Sequence, residues 1–336
     1  MAVTVGLRMV SGGLDLYTGL IAIMLAPEVY APVREVGKFF HASADGLAAS
    51  QSSFEILETP PATGGDQPAP NLKETTITLS DLGMRARGAW APNAVNLVIE
   101  PATITALVGK SGEGKTTTVM ALLKQLSADR GQITLTTSSG ETMDLAEVSA
   151  DSWWEQTSWL PQMPLLLPGT LAQNIAESPA HLKELFPNGE PGEQVRRAAS
   201  LAGFAEVVAK LPEGWNTFLR AGGEGLSVGQ RQRLALVRAL LSSKQLIALD
   251  EPSAHLDAHL VSQVAQVVEQ LKDAGKTVVL IAHRKELAQI ADQVVRISSA
   301  AFTAAETEKY QDSEPQAARA SEAEIPEFLG STRGLE

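Results

Sequence analysis

A glycine-rich segment, Gly109–Thr116, stands between an apolar run and a stretch of helical character. The run Ile104–Val108 predicts a buried strand, and Thr117–Leu126 predicts a helix. The spacing fits G-x-x-x-x-G-K-[ST], in which backbone N–H groups and a helix N-terminus together hold phosphate. Lys115 is placed to reach the β- and γ-phosphates, and the hydroxyl of Thr116 is placed to bind Mg²⁺. A glycine-rich turn with an unrelated lysine would not explain why strand, spacing and helix agree.

Two adjacent carboxylates follow a second apolar run, Leu246–Leu249. At the end of a strand beside the phosphate loop, Asp250 would bind Mg²⁺ directly or through a water molecule. Glu251 would orient or deprotonate the water that attacks the γ-phosphate. The structural alternative is an Asp-Glu-Pro turn after a strand. The phosphate loop upstream favours the catalytic interpretation.

Ser227 precedes a helix predicted over residues 228–242. Its hydroxyl and the first backbone N–H groups of that helix would form an anion site. The alternative is an ordinary serine N-cap, and both descriptions can hold for one residue.

Bulk properties narrow the classes of function. The 336 residues suffice for one or two domains, and the net charge of −12 argues against a nucleic-acid binder. The chain has no cysteine, which excludes disulfides, thiolate metal sites and a cysteine nucleophile. Its five histidines show no metal-ligand spacing, so the metal predicted is the Mg²⁺ of the nucleotide loop.

The first 30 residues are apolar but carry Arg8 and Asp15. The run Leu16–Ala26 alone is shorter than the roughly 20 residues that span a bilayer. If the apolar run is extended back through Gly12 and Gly13, it becomes long enough to span a bilayer. A membrane helix and a buried soluble helix therefore both stay open at this point.

A long amphipathic helix is predicted after Pro27, ending near Glu58. Apolar residues recur there every seven positions, at Val33, Phe40, Leu47 and Phe54. Such a seam requires partner helices, which we expect from another chain or from a part of the protein that precedes this sequence. Residues 60–70 are rich in proline and glycine and predict a linker.

Beyond the linker, short apolar runs alternate with helical segments, as in a parallel sheet covered by helices. Strands are predicted at Thr75–Leu79, Val95–Ile99 and Val278–Ala282, and a further helical region at residues 191–209. The tail after Ser299 is rich in Ala, Glu, Ser and Pro, which predicts disorder or a loose helix.

Together these segments resemble the ATPase domain of the ATP-binding cassette (ABC) family. The resemblance covers residues 75–297 and rests on motifs in the family's order: Walker A at Gly109–Thr116, the Q-loop at Gln162, the signature at Leu226–Gln230, Walker B at Leu246–Glu251, the D-loop at Ser253–Asp257 and the switch histidine at His283. Val228 stands where the signature usually has glycine. The implied fold is α/β: a P-loop NTPase of ABC type with a RecA-like core, an antiparallel β subdomain and a helical subdomain, preceded by a long membrane or cytosolic helix.

The resemblance also implies roles for the motif residues. Catalysis would depend on Glu251, His283 and Lys115. ATP would be bound by Gly109, Lys110, Ser111, Gly112, Glu113, Gly114, Lys115, Thr116, Thr117 and Gln162. Mg²⁺ would be held by Thr116, Gln162 and Asp250. The nucleotide of a partner subunit would be met by Ser227, Val228, Gly229 and Gln230, and Asp257 would lie in the D-loop.

Several shorter segments resemble the D subunit of the heterodimeric thiol-reductant (cysteine/glutathione) exporters needed for cytochrome bd assembly. They include residues 25–35, 39–42 and 166–171. Membrane helices precede the ATPase in that family, so the resemblance favours a membrane span and a truncated chain. It implies four regions: a transmembrane remnant at 1–58, a linker at 59–73, the ATPase at 74–299 and a tail at 300–336.

This second resemblance implies ATP hydrolysis coupled to transport at the cell (plasma or inner) membrane, with the ATPase on the cytoplasmic side. The implied partners are a second ABC half-transporter, in a heterodimer or a homodimer, membrane lipid and a small transported solute, with no nucleic acid.

Two other functions fit an ABC ATPase. A soluble, non-transport ABC ATPase usually has two cassettes or a coiled-coil insertion, and neither is visible in the sequence. A nucleotide-binding regulatory subunit usually lacks one of the residues equivalent to Glu251 and His283.

The sequence also departs from the family in two places. No aromatic residue stands near Met84 to stack on adenine, and Trp90 is interpreted as a packing residue. The Asp-Gly-Arg hairpin expected after the switch histidine is missing, which leaves the last strand unsupported.

Overall fold

The computed structural model describes residues 2–58, 64–86, 88–253, 258–303 and 306. Contacts between residues divide the chain into two units, Met1–Pro61 and Ala62–Glu336.

The first unit is helical. A short helix, α1 (Ala2–Val10), is followed by α2 (Leu16–Glu58), which has 43 residues and continues through Pro27 and Pro32. The long helix therefore begins well before the point that the sequence pattern indicated. Two side chains of its predicted seam, Leu47 and Phe54, are exposed within this chain, at 63% and 60%.

The apolar N-terminal stretch is interrupted by a turn at Gly12, whose φ is 73°. Because of this turn, the apolar residues before and after it belong to separate helices. Of the helices in the described residues, none is both long enough and apolar enough to cross a membrane. The membrane span expected near residues 12–26 is therefore not found among them.

The second unit contains mixed α/β structure. Its strands are β1 (Thr75–Gly83), β2 (Arg85–Ala86), β3 (Ala89–Trp90), β4 (Val95–Ile99), β5 (Ile104–Val108), β6 (Arg130–Thr137), β7 (Thr142–Asp144), β8 (Thr157–Leu160), β9 (Gly169–Thr170), β10 (Phe218–Leu219), β11 (Leu246–Asp250), β12 (Thr277–Ile281), β13 (Gln293–Arg296) and β14 (Ala300–Ala301). Its helices are α3 (Lys115–Leu122), α4 (Ala150–Trp154), α5 (Leu171–Ile175), α6 (Pro179–Leu185), α7 (Glu193–Leu201), α8 (Ala205–Lys210), α9 (Val228–Leu241), α10 (Ala258–Asp273) and α11 (Lys285–Gln289).

A parallel sheet with the order β13-β5-β12-β11-β8 forms the centre of this unit. Every residue of β11 and β12 is buried, as expected for strands covered on both faces. The carboxyl ends of parallel strands share one edge of the sheet, so the segments that follow β5, β11 and β12 lie near one another. These segments carry the predicted phosphate loop, Walker B carboxylates and switch histidine.

An antiparallel sheet with the order β4-β1-β6-β7 packs beside this core, and β14, β3 and β2 form a small third sheet. The strand after the switch histidine forms without the expected hairpin sequence. It forms because β13 pairs with β5 along its whole length and β14 pairs with β3. The doubt about this last strand is therefore removed.

The second half of the predicted linker is bound to the unit that follows it. We call residues 64–72 the strap. The N–H of Gln67 donates to the carbonyl of Glu147 over 3.0 Å, and its carbonyl accepts from the N–H of Ser149 over 2.7 Å. The N–H of Leu72 donates to Oε1 of Gln156 over 3.0 Å. Residues 59–63 lie outside the described part of the chain.

Candidate active site

The glycine loop connects β5 to α3, and two of its glycines are required by close packing. Gly114 is the N-cap of α3 with φ 92°, and a Cβ there would lie 2.2 Å from the backbone nitrogen of Pro92. Gly109 has φ 155°, and its Cβ would lie 2.7 Å from the carbonyl oxygen of Ile297. An L side chain is strained at these φ values and has no space, so the loop keeps its shape only with glycine.

Lys115 opens α3, and its side chain is folded back across the loop. It is only 5% exposed. Its Nζ donates to the carbonyl oxygens of Gly109 and Lys110 over 3.0 and 2.8 Å. The ammonium group and the positive end of the helix therefore lie at the same place, which is where a bound anion is stabilised.

Thr116 and Asp250 meet across the sheet edge. The hydroxyl of Thr116 donates to Oδ2 of Asp250 over 2.8 Å. Burial raises the pKa of Asp250, and the hydrogen bond from Thr116 opposes this effect. A hydroxyl beside one carboxylate fits Mg²⁺, which prefers oxygen ligands and takes the remaining ones from phosphate and water. Among the described residues no cluster of three or more His, Cys, Asp and Glu side chains could hold a metal without such help.

Glu251 is held between two donors that come from distant parts of the chain. Nε2 of His283, which follows β12, lies 2.6 Å from its Oε1. Nε2 of Gln162, which follows β8, donates to its Oε2 over 3.2 Å. The backbone of Glu251 has φ 49°, in the left-handed region that few residues other than glycine adopt. A fixed carboxylate in strained backbone beside a phosphate loop is the arrangement expected of a group that orients water.

The predicted signature segment forms a separate, local structure at the start of α9. Oγ of Ser227 accepts from the N–H of Gln230 over 3.3 Å, and Oε1 of Gln230 accepts from the N–H of Ser227 over 2.8 Å. This reciprocal pair is a capping box, so the structural alternative for Ser227 holds. Val228, the first residue of α9, is 46% exposed, and the carbonyl of Gly229 accepts from Nε of Arg233 over 3.4 Å.

The remaining predicted residues lie as follows. Ser111 and Gly112 are exposed in the loop, and Thr117 is half-buried in the first turn of α3. Asp257 lies outside the described residues. The position of Pro92 against the loop carries no sequence signal, because it depends on how the β3–β4 connection packs.

Trp90 takes part in packing, as predicted from the sequence. The guanidinium carbon of Arg130 lies 4.7 Å from the centre of its ring, and Phe302 meets the ring edge-on at 5.7 Å between centroids. Its indole N–H donates to Oε1 of Glu306 over 3.1 Å.

Comparison with known proteins agrees with this geometry. Residues 92–254 match the family model described as ABC transporter. This part of the chain belongs to the ABC transporter family. The match begins at Pro92, which packs against the loop, and it takes in the loop, Gln162, the signature segment and both Walker B carboxylates.

Two curated relatives are similar to most of this chain. The glutathione/L-cysteine transport system ATP-binding/permease protein CydD of Haemophilus influenzae is 32% identical over 84% of this chain and 46% of its own. The ATP-dependent lipid A-core flippase of Alkalilimnicola ehrlichii is 32% identical over 84% of this chain and 46% of its own. The similarity to glutathione/L-cysteine transport proteins that was predicted from short sequence segments is thereby confirmed. The chain spans about half the length of the curated relatives it matches.

The fold has a counterpart among solved structures. A bacterial Atm1-family ABC exporter with ATP bound superposes with a TM-score of 0.60 at 23% identity, over 85% of this chain and 51% of the exporter. Over this length the chain shares its fold with that structure.

Proposed function

We propose that this chain binds and hydrolyses ATP as the ATPase part of an ABC exporter. The observation that carries the proposal is the position of Glu251, which His283 and Gln162 hold beside the phosphate loop. A chain that only bound nucleotide would have no use for a carboxylate fixed in this way at the cost of left-handed backbone.

The roles of the residues follow from charge. The loop N–H groups and the ammonium of Lys115 neutralise the phosphates of ATP, and the lysine has only to exchange two carbonyl partners for phosphate oxygens. Thr116, Asp250 and the amide oxygen of Gln162 would hold Mg²⁺, which supplies further neutralisation of the β- and γ-phosphates.

Glu251 then positions the attacking water and accepts its proton as the water oxygen bonds to the γ-phosphorus. The bond between that phosphorus and the β–γ bridging oxygen breaks in the same step, and ADP leaves. His283 keeps one carboxylate oxygen in place, so the other oxygen can face the water. Gln162 contacts the same carboxylate and follows directly after β8, so a movement of the segment after β8 would also move Glu251.

We further propose that the chain works in a pair with a second ABC half-transporter. The exposed N-terminus of α9 at Ser227 and Val228 would meet the nucleotide bound by the partner, since capped helix starts with free N–H groups bind anions. The pair would lie at the cell membrane with the ATPase on the cytoplasmic side. Small thiols such as cysteine and glutathione are the proposed cargo, on the basis of the relative named above.

The decisive experiment uses the full chain and separates ATP binding from hydrolysis. Glu251→Gln should keep the ATP affinity within about threefold and lower phosphate release by roughly a hundred- to ten-thousandfold, the usual contribution of a general base. Lys115→Ala should lose ATP binding measured by calorimetry. Glu206→Gln, which removes the same charge from an exposed site on α8, is the matched control.

The proposal fails if Glu251→Gln hydrolyses ATP near the unaltered rate, or if the unaltered chain binds no ATP. The cargo is tested separately, by uptake of radiolabelled cysteine or glutathione into inverted vesicles that contain the chain and its partner. Uptake that does not depend on ATP would refute the thiol assignment.

A further inference from the structure

The phosphate loop contains its own anion. Glu113 lies inside the loop, one residue before Gly114, and its Oε2 accepts from the backbone N–H of Lys110 over 2.5 Å. The same carboxylate oxygen packs against Gly109, where an added Cβ would lie 2.5 Å from it. The carboxylate is therefore folded back over the first residues of the loop.

The loop also contains its own cation close by. The carbonyl of Lys110 accepts from Nζ of Lys115 over 2.8 Å, and also from the backbone N–H of Glu113 over 3.3 Å. The peptide groups on both sides of Lys110 are thus satisfied within the loop, the N–H by a carboxylate and the C=O by an ammonium. A loop built to hold phosphate here holds one negative and one positive side chain.

A carboxylate and a phosphate seek the same donors. A nest of backbone N–H groups binds either, because both offer charged oxygen acceptors. The carboxylate of Glu113 and a phosphate in the same loop would also repel each other. The loop lies at a partly exposed surface, where water screens this repulsion only in part. A phosphate that enters the loop must therefore take the Lys110 N–H from Glu113 or bind beside an uncompensated negative charge.

We propose that Glu113 is an internal competitor of the nucleotide: its carboxylate occupies a donor of the phosphate loop and has to move out before the triphosphate is held. The residue sets the nucleotide affinity of this chain below that of the same loop without the charge. The inference rests on the proposed function, since it assumes that the loop binds a triphosphate.

Two substitutions separate the hydrogen bond from the charge. Glu113→Gln keeps an oxygen acceptor for the Lys110 N–H but removes the charge, whereas Glu113→Ala removes both. The expected order of ATP affinity is Ala above Gln above the unaltered chain, with a gain on the order of tenfold for Ala, the value of one charged hydrogen bond. Glu193→Gln removes a charge from an exposed pair with Arg196 and should change nothing.

The measurement is calorimetric titration of the full chain with Mg-ATP and with inorganic tripolyphosphate. Competition at the phosphates predicts the same gain in affinity for both ligands. An effect on the binding of the adenine would appear with ATP alone. Unchanged or weaker binding in Glu113→Gln, with an unaltered melting temperature, overturns the inference and assigns Glu113 to loop structure.

The two proposals fail differently. If the unaltered chain and both Glu113 variants bind neither ligand, the proposed function fails. If the unaltered chain binds ATP and Lys115→Ala does not, the proposed function stands, and the sign of the Glu113 effect decides this inference alone.

Discussion

Replacing Lys124 with methionine should release the strap and destabilise the second unit. Lys124 follows the C-terminus of α3 and is 6% exposed. Its Nζ donates to the carbonyl oxygens of Gly64 at 2.8 Å, Leu145 at 2.7 Å and Ala146 at 3.1 Å, and also to that of Val148. One ammonium group therefore joins the end of the loop helix to the strap and to the segment after β7.

The cost can be worked out from these contacts. Methionine fills a similar volume but donates no hydrogen bond, so two buried and two partly buried carbonyl groups lose a charged partner. Each unsatisfied buried group costs about 1–3 kcal/mol. Burial lowers the pKa of Lys124, so removal of the charge recovers part of this loss. The carbonyl of Leu145 also keeps the N–H of Val148 as a partner. We therefore expect a net loss of about 2–4 kcal/mol, or roughly 5–12 °C in melting temperature for a unit of this size.

Differential scanning calorimetry of the full chain measures the shift, and limited proteolysis should cut the strap faster in Lys124→Met. Lys210→Met is the control: Lys210 is exposed at the end of α8, so its replacement should change the stability by less than about 0.5 kcal/mol. A melting temperature for Lys124→Met within 1–2 °C of the control would show that the four carbonyl contacts contribute nothing net, and the reasoning would be wrong.

Three further predictions address catalysis, acid stability and the loop backbone. His283→Ala should lower phosphate release at least roughly tenfold and leave ATP affinity unchanged, since it frees Glu251; equal loss of binding would contradict this role. Burial alone would raise the pKa of Glu177, but hydrogen bonds from two serines and a nearby lysine lower it. Its contribution to stability is therefore present above the unfolded pKa of about 4.3 and is lost as the pH falls through the lower folded pKa. In urea unfolding, Glu177→Gln should be destabilising at pH 7 and nearly neutral once the pH lies below the folded pKa. Gly114→Ala should prevent folding or cost more than about 3 kcal/mol because its Cβ meets Pro92, whereas Gly112→Ala, with φ 82° and open space, should cost only about 1 kcal/mol; similar losses at both glycines in thermal melts would refute the clash.

The elements that carry the site were predictable because each is specified by its own sequence. The strand β4 has the bounds read from its apolar run, and β11 and β12 differ from theirs by one residue. The start of α9 at Val228 follows from Ser227 and Gln230, whose side chains cap the helix whatever surrounds it. The predicted start of α2 was wrong. The sequence pattern placed it after Pro27, whereas the helix begins at Leu16. The prolines mislead there because a helix can continue through them when its remaining hydrogen bonds form.

The sequence alone thus determined the order of strand, glycine loop and helix, because spacing within about ten residues fixes backbone turns, caps and apolar faces. Tertiary structure alone decided which side chains meet. The pairing of Glu251 with His283 requires β11 and β12 to be neighbours in the sheet, and the attachment of the strap requires Lys124 to reach Gly64, far away in sequence. The fold of Glu113 over Lys110 is local in sequence but follows from the loop's left-handed glycines, and residue types do not specify such a side-chain direction.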